Sequence, residues 1–252
     1  MTFARPDHSI DLDTLPRMPS WVTSTSAETL EDVAFLSGAA LNHLHLVLGH
    51  EAVPQALLRD RLALRAAEAC VAFSGRPERA GELRDAVHLL RPGDLPGPAG
   101  ETYLVWRRAV ERPVSIKALC RALPAFEPGQ IATWLDAGKG LSVTRAAMVL
   151  EAILREAPRA DLAALILADA ALAQALGWEH LVPLLAAGLK RADLRKQGDD
   201  LRFACHRVLI SSAIEAVRQA VDLARRAAHL KSVAPKLRAK GACDAVQMFL
   251  TG

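Results

Sequence analysis

The chain has 252 residues, and its 47 alanines and 39 leucines make up about a third of it, in residue types that favour helix. Six Phe, one Tyr and the absence of runs of β-branched residues exclude a sandwich, a barrel and most α/β folds, which leaves an all-α fold. The net charge of +3 implies no particular class of partner.

The N-terminal region has no hydrophobic periodicity. Residues 1–24 contain three prolines and predict a flexible N-terminal arm. Thr25 and Glu28 have the spacing of a capping box, which predicts that the first helix begins there. Residues 25–252 are therefore predicted to form a single helical domain, with a sub-boundary at the Pro- and Gly-rich linker 91–100 as the alternative.

Proline and glycine predict most of the later helix boundaries, because Pro is tolerated in the first turn of a helix and Gly often follows its end. Ser115 and Ser142 are predicted to cap two of these helices. The result is an all-α, irregular orthogonal bundle of about nine or ten helices. After the first helix, the segments predicted to be helical, short ones included, are 54–74, 77–91, 101–111, 115–123, 128–134, 142–156, 160–176, 183–189, 198–232 and 235–252, the last interrupted by Gly241.

The cysteines and the apolar segments predict a cytoplasmic protein. Cys70, Cys120, Cys205 and Cys243 are widely spaced in apolar helical contexts, which is typical of reduced core residues. The first twenty residues contain no apolar signal region. The most apolar stretch, 162–176, is shorter than a membrane span and predicts a buried core helix, so no membrane partner is expected.

Positive charge is concentrated late in the chain. Residues 186–240 contain thirteen Lys and Arg and five acids, a net +8, which can mark an anionic partner. Along the longest helix, Glu215 and Asp222 alternate with arginines, so a solvated ladder in which Glu215 pairs with Arg218, and Asp222 with Arg218 or Arg225, is favoured over phosphate contacts.

Two basic clusters remain at the ends of that helix. They offer contacts to nucleic-acid phosphates, but no aromatic residue lies among them to stack a base. A soluble basic surface is the favoured alternative. The clusters are Lys190, Arg191, Arg195 and Lys196, and Lys231, Lys236, Arg238 and Lys240.

The histidine spacings predict no metal site and no cofactor. His43 and His45 point apart on a helix, whereas chelation from one helix needs residues four apart. His50 and the adjacent pair Cys205 and His206 have no better geometry.

A polar site between the second and third helices is the one candidate for catalysis. Glu82 and Asp85 share a face of the third helix with His88 one turn beyond, and a hairpin would bring them to the polar face of the second helix. Such a cluster would supply a general base with an electrostatic partner. Two polar faces exchanging salt bridges is the favoured alternative. The face of the second helix carries Arg61, Arg65 and Glu68.

Four segments together resemble a bacterial family catalogued as domain of unknown function 1403. They are LRDRLALRAAEACVAFSGRPERAGELRDAVHLLRPGD (58–94), WRRAV (106–110), ALGWEHLVPLLAAGLKRADLRKQGDD (175–200) and VAPKLRAKG (233–241). The resemblance extends over nearly all of the chain past residue 35. It implies no activity, cofactor or catalytic residue. Members of the family extend further, with a tail that looks like a small winged-helix element, and this implies a link to nucleic acid.

The sequence thus predicts a cytoplasmic binding or scaffolding protein without catalysis, with nucleic acid or another protein as partner. An enzyme using the helices of residues 54–74 and 77–91 is the alternative. The segment 242–252 predicts an amphipathic helix that docks only partly and leaves an apolar patch, which would favour a homo-oligomer.

Overall fold

The structure is a computed structural model that describes residues 15–24, 26–236 and 241–251. It confirms the all-α prediction, with ten helices of seven or more residues among those described and no β-strand in these ranges. The helices are α1 (Ser20–Ser24), α2 (Leu30–Leu48), α3 (Gln55–Phe73), α4 (Ala80–His88), α5 (Gly97–Glu111), α6 (Ile116–Ala122), α7 (Pro128–Asp136), α8 (Ser142–Glu156), α9 (Asp161–Ala175), α10 (Leu185–Gly188), α11 (Gly198–Val233) and α12 (Ala242–Thr251).

The start of the first long helix differs from the prediction. A capping box is present, but Thr29 and Asp32 form it, each side chain accepting from the other's backbone N–H at 3.1 Å. The predicted start at Thr25 is wrong, because Thr29 offers the same spacing directly before the apolar residues of α2. Thr25 itself lies outside the described residues.

Other boundary signals give mixed results. Ser115 caps α6, accepting from the N–H of Ala118 at 3.2 Å, as predicted. Ser142 does not cap α8, because it is the first helical residue and Leu141 occupies the cap without a side-chain hydrogen bond. Gly75 and Gly177 follow α3 and α9 with φ of +72° and +68°, a conformation that favours glycine. Helix α5 already begins at Gly97, within the predicted linker.

Helix α11 is the longest helix described, with 36 residues, and it packs mainly against α2 and also against α3, α8 and α10. Helix α9 packs against α8, and its residues 163–173 are all buried, which confirms the predicted core helix. A continuous hydrophobic cluster includes residues from both sides of the 91–100 linker. Within the described ranges, no helix combines the length and apolar character that crossing a membrane requires.

Residues 15–24 of the predicted arm pack on the bundle. Leu15 and Val22 are buried, and the Trp21 ring stacks on Phe35 with 5.5 Å between centroids. Residues 1–14 lie outside the described ranges.

A buried carboxylate connects α9 to the segment that begins α10. Asp169 has no exposed surface, and it accepts from the backbone N–H groups of Leu184, Leu185 and Ala186 at 3.2, 2.9 and 3.3 Å. Burial raises the pKa of Asp169 to about 7, while the three N–H donors act in the opposite direction. The carboxylate thereby satisfies backbone donors at the start of a helix that has no side-chain cap of its own.

Candidate binding groove

A cavity of about 710 Å³ lies between α3, α4, α5, α11 and α12 and is called the groove below. Its apolar surface comes mainly from α3, α11 and α12. Its cationic rim consists of Arg61 and Arg65 of α3, Arg84 of α4 and Arg226 of α11. The apolar surface is formed by Leu57, Leu64, Leu223, Ala227, Leu230, Phe249 and Leu250.

The structure brings three of the six predicted site residues to the groove. Arg61, Arg65 and His88 line it. No hydrogen bond to His88 is found within the described ranges. Arg84, which the sequence analysis did not select, also lines the groove, because α4 presents residues 84 and 88 on one face.

The three predicted carboxylates do not line the groove, so they do not converge on His88. Glu82 accepts from the backbone N–H of Arg79 at 2.7 Å, at the start of α4. Asp85 accepts from the guanidinium of its neighbour Arg84 at 2.8 Å. Glu68 lies 3.9 Å from the guanidinium of Arg79. Of these contacts, only that of Glu68 with Arg79 is a salt bridge between the two helices of the kind that the alternative interpretation expected.

The arginines of α3 pair with acids of α11 instead. Arg65 Nη1 lies 3.3 Å from Glu215, and Arg61 Nη1 lies 3.5 Å from Asp222. The acids themselves do not line the groove. The earlier arginine of α3 pairs with the later acid of α11, and the later arginine with the earlier acid. Helices α3 and α11 therefore run antiparallel where they meet.

The predicted ladder on α11 is confirmed at one pair and wrong at the other. Arg218 lies 3.8 Å from Glu215, as predicted. Asp222 pairs with Arg226 at 2.9 Å, four residues later, rather than with Arg218 or Arg225. The hydrogen bond from Arg226 is the main reason that the pKa of Asp222 lies below its ordinary value.

Among the groove residues described, Asp60 is the one carboxylate, and it is already engaged. Arg107 Nε donates to Asp60 Oδ1 at 2.9 Å, and the Tyr103 hydroxyl donates to Oδ2 at 3.4 Å. Burial, with Asp60 beside the ring, raises the pKa of Tyr103 to about 12. Sequence patterns did not single out Asp60, because its partners lie more than forty residues later, on α5.

A second cavity, of about 580 Å³, lies between α2, α8 and α11, and a Ser–His pair forms part of its wall. Ser37 Oγ lies 2.7 Å from His206 Nδ1 and also donates to the carbonyl of Ala34 at 3.0 Å. Burial and Arg202 lower the pKa of His206 to about 4.

This pair does not have the features of a nucleophile and its base. Ser37 has no exposed surface, so its hydroxyl is not accessible to a substrate. The pair instead joins α2 to α11 inside the bundle. The sequence analysis missed it because 169 positions separate the partners, and no local pattern signals such a contact.

The three histidines of the first long helix region are separated in the structure. His43 is buried, His45 accepts from the Trp178 indole at 2.9 Å, and His50 accepts from the N–H of Ala52 at 3.2 Å. No group of three or more His, Cys, Asp or Glu side chains suited to a metal ion occurs within the described ranges. That no metal or cofactor is needed stays a prediction.

The two basic clusters lie at opposite ends of α11. A helix of 36 residues is about 50 Å long, so the clusters do not form one patch. Lys190, Arg191 and Arg195 are exposed, whereas Lys196 donates to Asp193 at 2.6 Å. Burial raises the pKa of Asp193, but hydrogen bonds from Lys196 and the Lys190 N–H outweigh it and lower the pKa. In the other cluster Lys231 and Lys236 are exposed, and Arg238 and Lys240 lie outside the described residues.

Comparison with curated proteins and with solved structures gives no match. A family model described as "Protein of unknown function (DUF1403)" matches residues 6–252, which is nearly the whole chain. This confirms the resemblance that the four sequence segments indicated. The chain belongs to the DUF1403 family.

Proposed function

We propose that the protein is a non-catalytic binding module and that the groove is its ligand site. The observation that carries this proposal is the composition of the groove, in which an apolar surface meets a rim of arginines. A volume of about 710 Å³ lies in the range of small-molecule sites, which combine apolar walls with a few convergent polar groups.

The alternative, an enzyme at the same helices, has less support. General acid–base catalysis needs a base within hydrogen-bond reach of the substrate and a group that orients it. Glu68, Glu82 and Asp85 are engaged outside the groove, and Asp60 is held by Arg107 and Tyr103.

The binding of Nile red, an uncharged dye that fluoresces in apolar sites, tests the proposal on the full chain. Leu230 lines the groove and is 38% exposed, so Leu230→Glu adds a charge to the groove without disturbing the core. Leu46, which is 53% exposed and lines none of the cavities described above, provides the matched control Leu46→Glu.

We expect Leu230→Glu to weaken Nile red binding about tenfold, because the dye must then contact a carboxylate. Leu46→Glu is expected to leave binding unchanged, and urea unfolding of both variants should match the parent. Equal binding by the two variants, or no binding by the parent, would overturn the assignment of the groove.

A weak, sequence-independent link to nucleic acid is the second candidate function. It is supported by the exposure of Lys190, Arg191 and Arg195, next to Asp193 alone among acids. Phosphate contacts of this kind weaken steeply with salt.

Titration of two unrelated DNA duplexes at low and moderate salt tests this link. Replacing Lys190, Arg191 and Arg195 by Gln should reduce the binding of both duplexes and the dependence on salt. The control variant replaces three exposed cations outside the basic clusters, Lys117, Arg121 and Arg155, by Gln. Equal losses of DNA binding in the two variants would show that binding follows the net charge of the protein and not this cluster. A preference for one duplex that persists in added salt would contradict a sequence-independent link.

The proposal places the protein in a reducing compartment, the cytoplasm. All four cysteines are free thiols, although Cys243 is exposed rather than a core residue as predicted. Burial raises the pKa of the Cys70 and Cys205 thiols to about 12, which keeps them protonated and unreactive.

A further inference from the structure

We infer that the groove binds a free amphiphile with an anionic head group and an alkyl chain, an inference that rests on the proposed function. The groove is polar at one end and apolar at the other. Because α3 and α11 cross antiparallel, with Arg61 at Asp222 and Arg65 at Glu215, the residues after Asp222 lie toward the start of α3.

The end of the groove toward the start of α3 is mainly apolar, and Arg226, which also lines it, is paired with Asp222 at 2.9 Å. Leu57 of α3 faces the part of α11 that carries Leu230, and α12 adds Phe249 and Leu250 there. Leu250 is the buried anchor of α12, whereas Phe249 lines the groove with 60% of its surface exposed. An alkyl chain laid along these side chains would remove apolar surface from water, which is the main source of free energy for such a ligand.

The end of the groove that holds Arg61 and Arg65 is cationic. Arg79, at the start of α4, lies 3.9 Å from Glu68, near the end of α3, so α4 runs antiparallel to α3. This direction places Arg84 beside Arg61 and Arg65 in the groove lining. Two arginines of α3 and one of α4 therefore line the same part of the groove, where a head group would lie. In their ion pairs, Arg61 and Arg65 approach the acids of α11 most closely through Nη1, at 3.5 and 3.3 Å.

The guanidinium N–H donors of these arginines make an anion the complementary head group. A guanidinium has five N–H donors arranged to meet two oxygens of a carboxylate or phosphate together. The acids that pair with Arg61, Arg65 and Arg84 do not line the groove. Asp60, the carboxylate that does line it, is held by Arg107 and Tyr103. An uncharged head group would gain less from these donors, and a cationic one would be repelled.

Isothermal titration calorimetry of the full chain with three dodecyl compounds, each below its micelle concentration, tests the inference. Laurate is the anionic probe, dodecyl maltoside the uncharged one and dodecyltrimethylammonium the cationic one. Arg65→Gln with Arg84→Gln removes two groove cations, and the matched control Arg121→Gln with Arg155→Gln removes two exposed cations elsewhere.

We expect laurate to bind about tenfold more tightly than the maltoside, because charge-assisted hydrogen bonds to partly exposed arginines contribute modestly. The groove variant should remove that tenfold advantage and leave maltoside binding unchanged, while the control variant binds like the parent. Added salt should weaken laurate alone.

The outcomes distinguish a failure of this inference from a failure of the proposed function. Suppose that Nile red binding depends on Leu230 but laurate binds no better than the maltoside, or worse than the trimethylammonium compound. The groove is then a binding site, but the inference that its ligand is anionic is wrong. If Nile red binding does not depend on Leu230, both are wrong. Binding to phosphatidylglycerol vesicles that needs Arg65 and Arg84, without binding of free laurate, would overturn the inference in favour of a membrane surface.

Discussion

Helix α11 is polar on two sides that differ in their exposure to water. On the sealed side, formed by α2, α8 and α10, Ser37 and His206 are buried and 2.7 Å apart. On the open side, formed by α3, α4 and α12, the ion pair of Arg65 with Glu215 spans 3.3 Å, and both side chains are 36% exposed. Both sides join distant helices, but water competes for the polar groups of only one.

This difference separates the residues that hold the fold from those that remain available to a ligand. A buried polar group that loses its partner keeps the full cost of its desolvation, whereas an exposed ion pair contributes little to stability. The sealed side is therefore expected to determine the free energy of unfolding. On the open side the arginines can exchange partners at small cost, which suits a binding groove.

Asp169→Ala is expected to give the largest loss. It leaves the backbone N–H groups of residues 184–186 without an acceptor inside the core, so the free energy of unfolding should fall by about 3–5 kcal/mol in urea denaturation. Asp169→Asn, which keeps an amide oxygen as acceptor, should lose less. The exposed control Asp136→Ala should change stability by less than about 0.5 kcal/mol. A loss below about 1 kcal/mol in Asp169→Ala would contradict the comparison of the two sides.

Gly188→Ala tests the close packing of α10 on α11. A methyl group at Gly188 would overlap the side chains of Val208 and Ser212, so we expect a loss of about 2 kcal/mol. Gly38→Ala is the matched variant, because a methyl group there meets nothing within 4 Å and alanine favours helix. It should stabilise the protein by about 0.5–1 kcal/mol. The same sign of change in both variants would argue against tight packing at α10.

His206 is expected to make stability depend on pH. Its pKa falls from an ordinary 6.5 to about 4 in the folded protein, so between these values the folded state binds fewer protons than the unfolded state. The contribution is complete above pH 6.5 and is lost as the pH falls toward 4. The advantage of the parent over His206→Gln should therefore shrink by about 2 kcal/mol across this range, measured by urea unfolding. A constant difference would show that His206 does not titrate in the fold.

The ion pairs of the open side are expected to give the smallest effect. A double-mutant cycle with Arg65→Gln and Glu215→Gln should give a coupling energy below about 1 kcal/mol, because both side chains are partly exposed. The coupling should decrease further in added salt. A larger coupling that resists salt would place this pair with the buried groups of the sealed side.

Local signals were sufficient for the helices and not for the site. Gly75, Gly177 and Ser115 mark helix boundaries correctly because turn and cap preferences act within a few residues. The predicted helix start at Thr25 failed because the same capping signal recurs four residues later, at Thr29. Only part of the groove was predicted: the face of α3 that holds Arg61 and Arg65 follows from helical spacing, whereas the side chains that α11 and α12 contribute do not.

The sequence by itself determined an all-α bundle, its buried helix α9 and its membership of the DUF1403 family, because composition, periodicity and family motifs are properties of the chain. Only the tertiary structure decided which partner each charged side chain takes. Glu215 and Asp222 lie about 150 positions from Arg65 and Arg61, yet they are nearer in space than the carboxylates of α4 that the sequence offered. An ion pair or hydrogen bond depends on distance in space, and helix packing sets that distance.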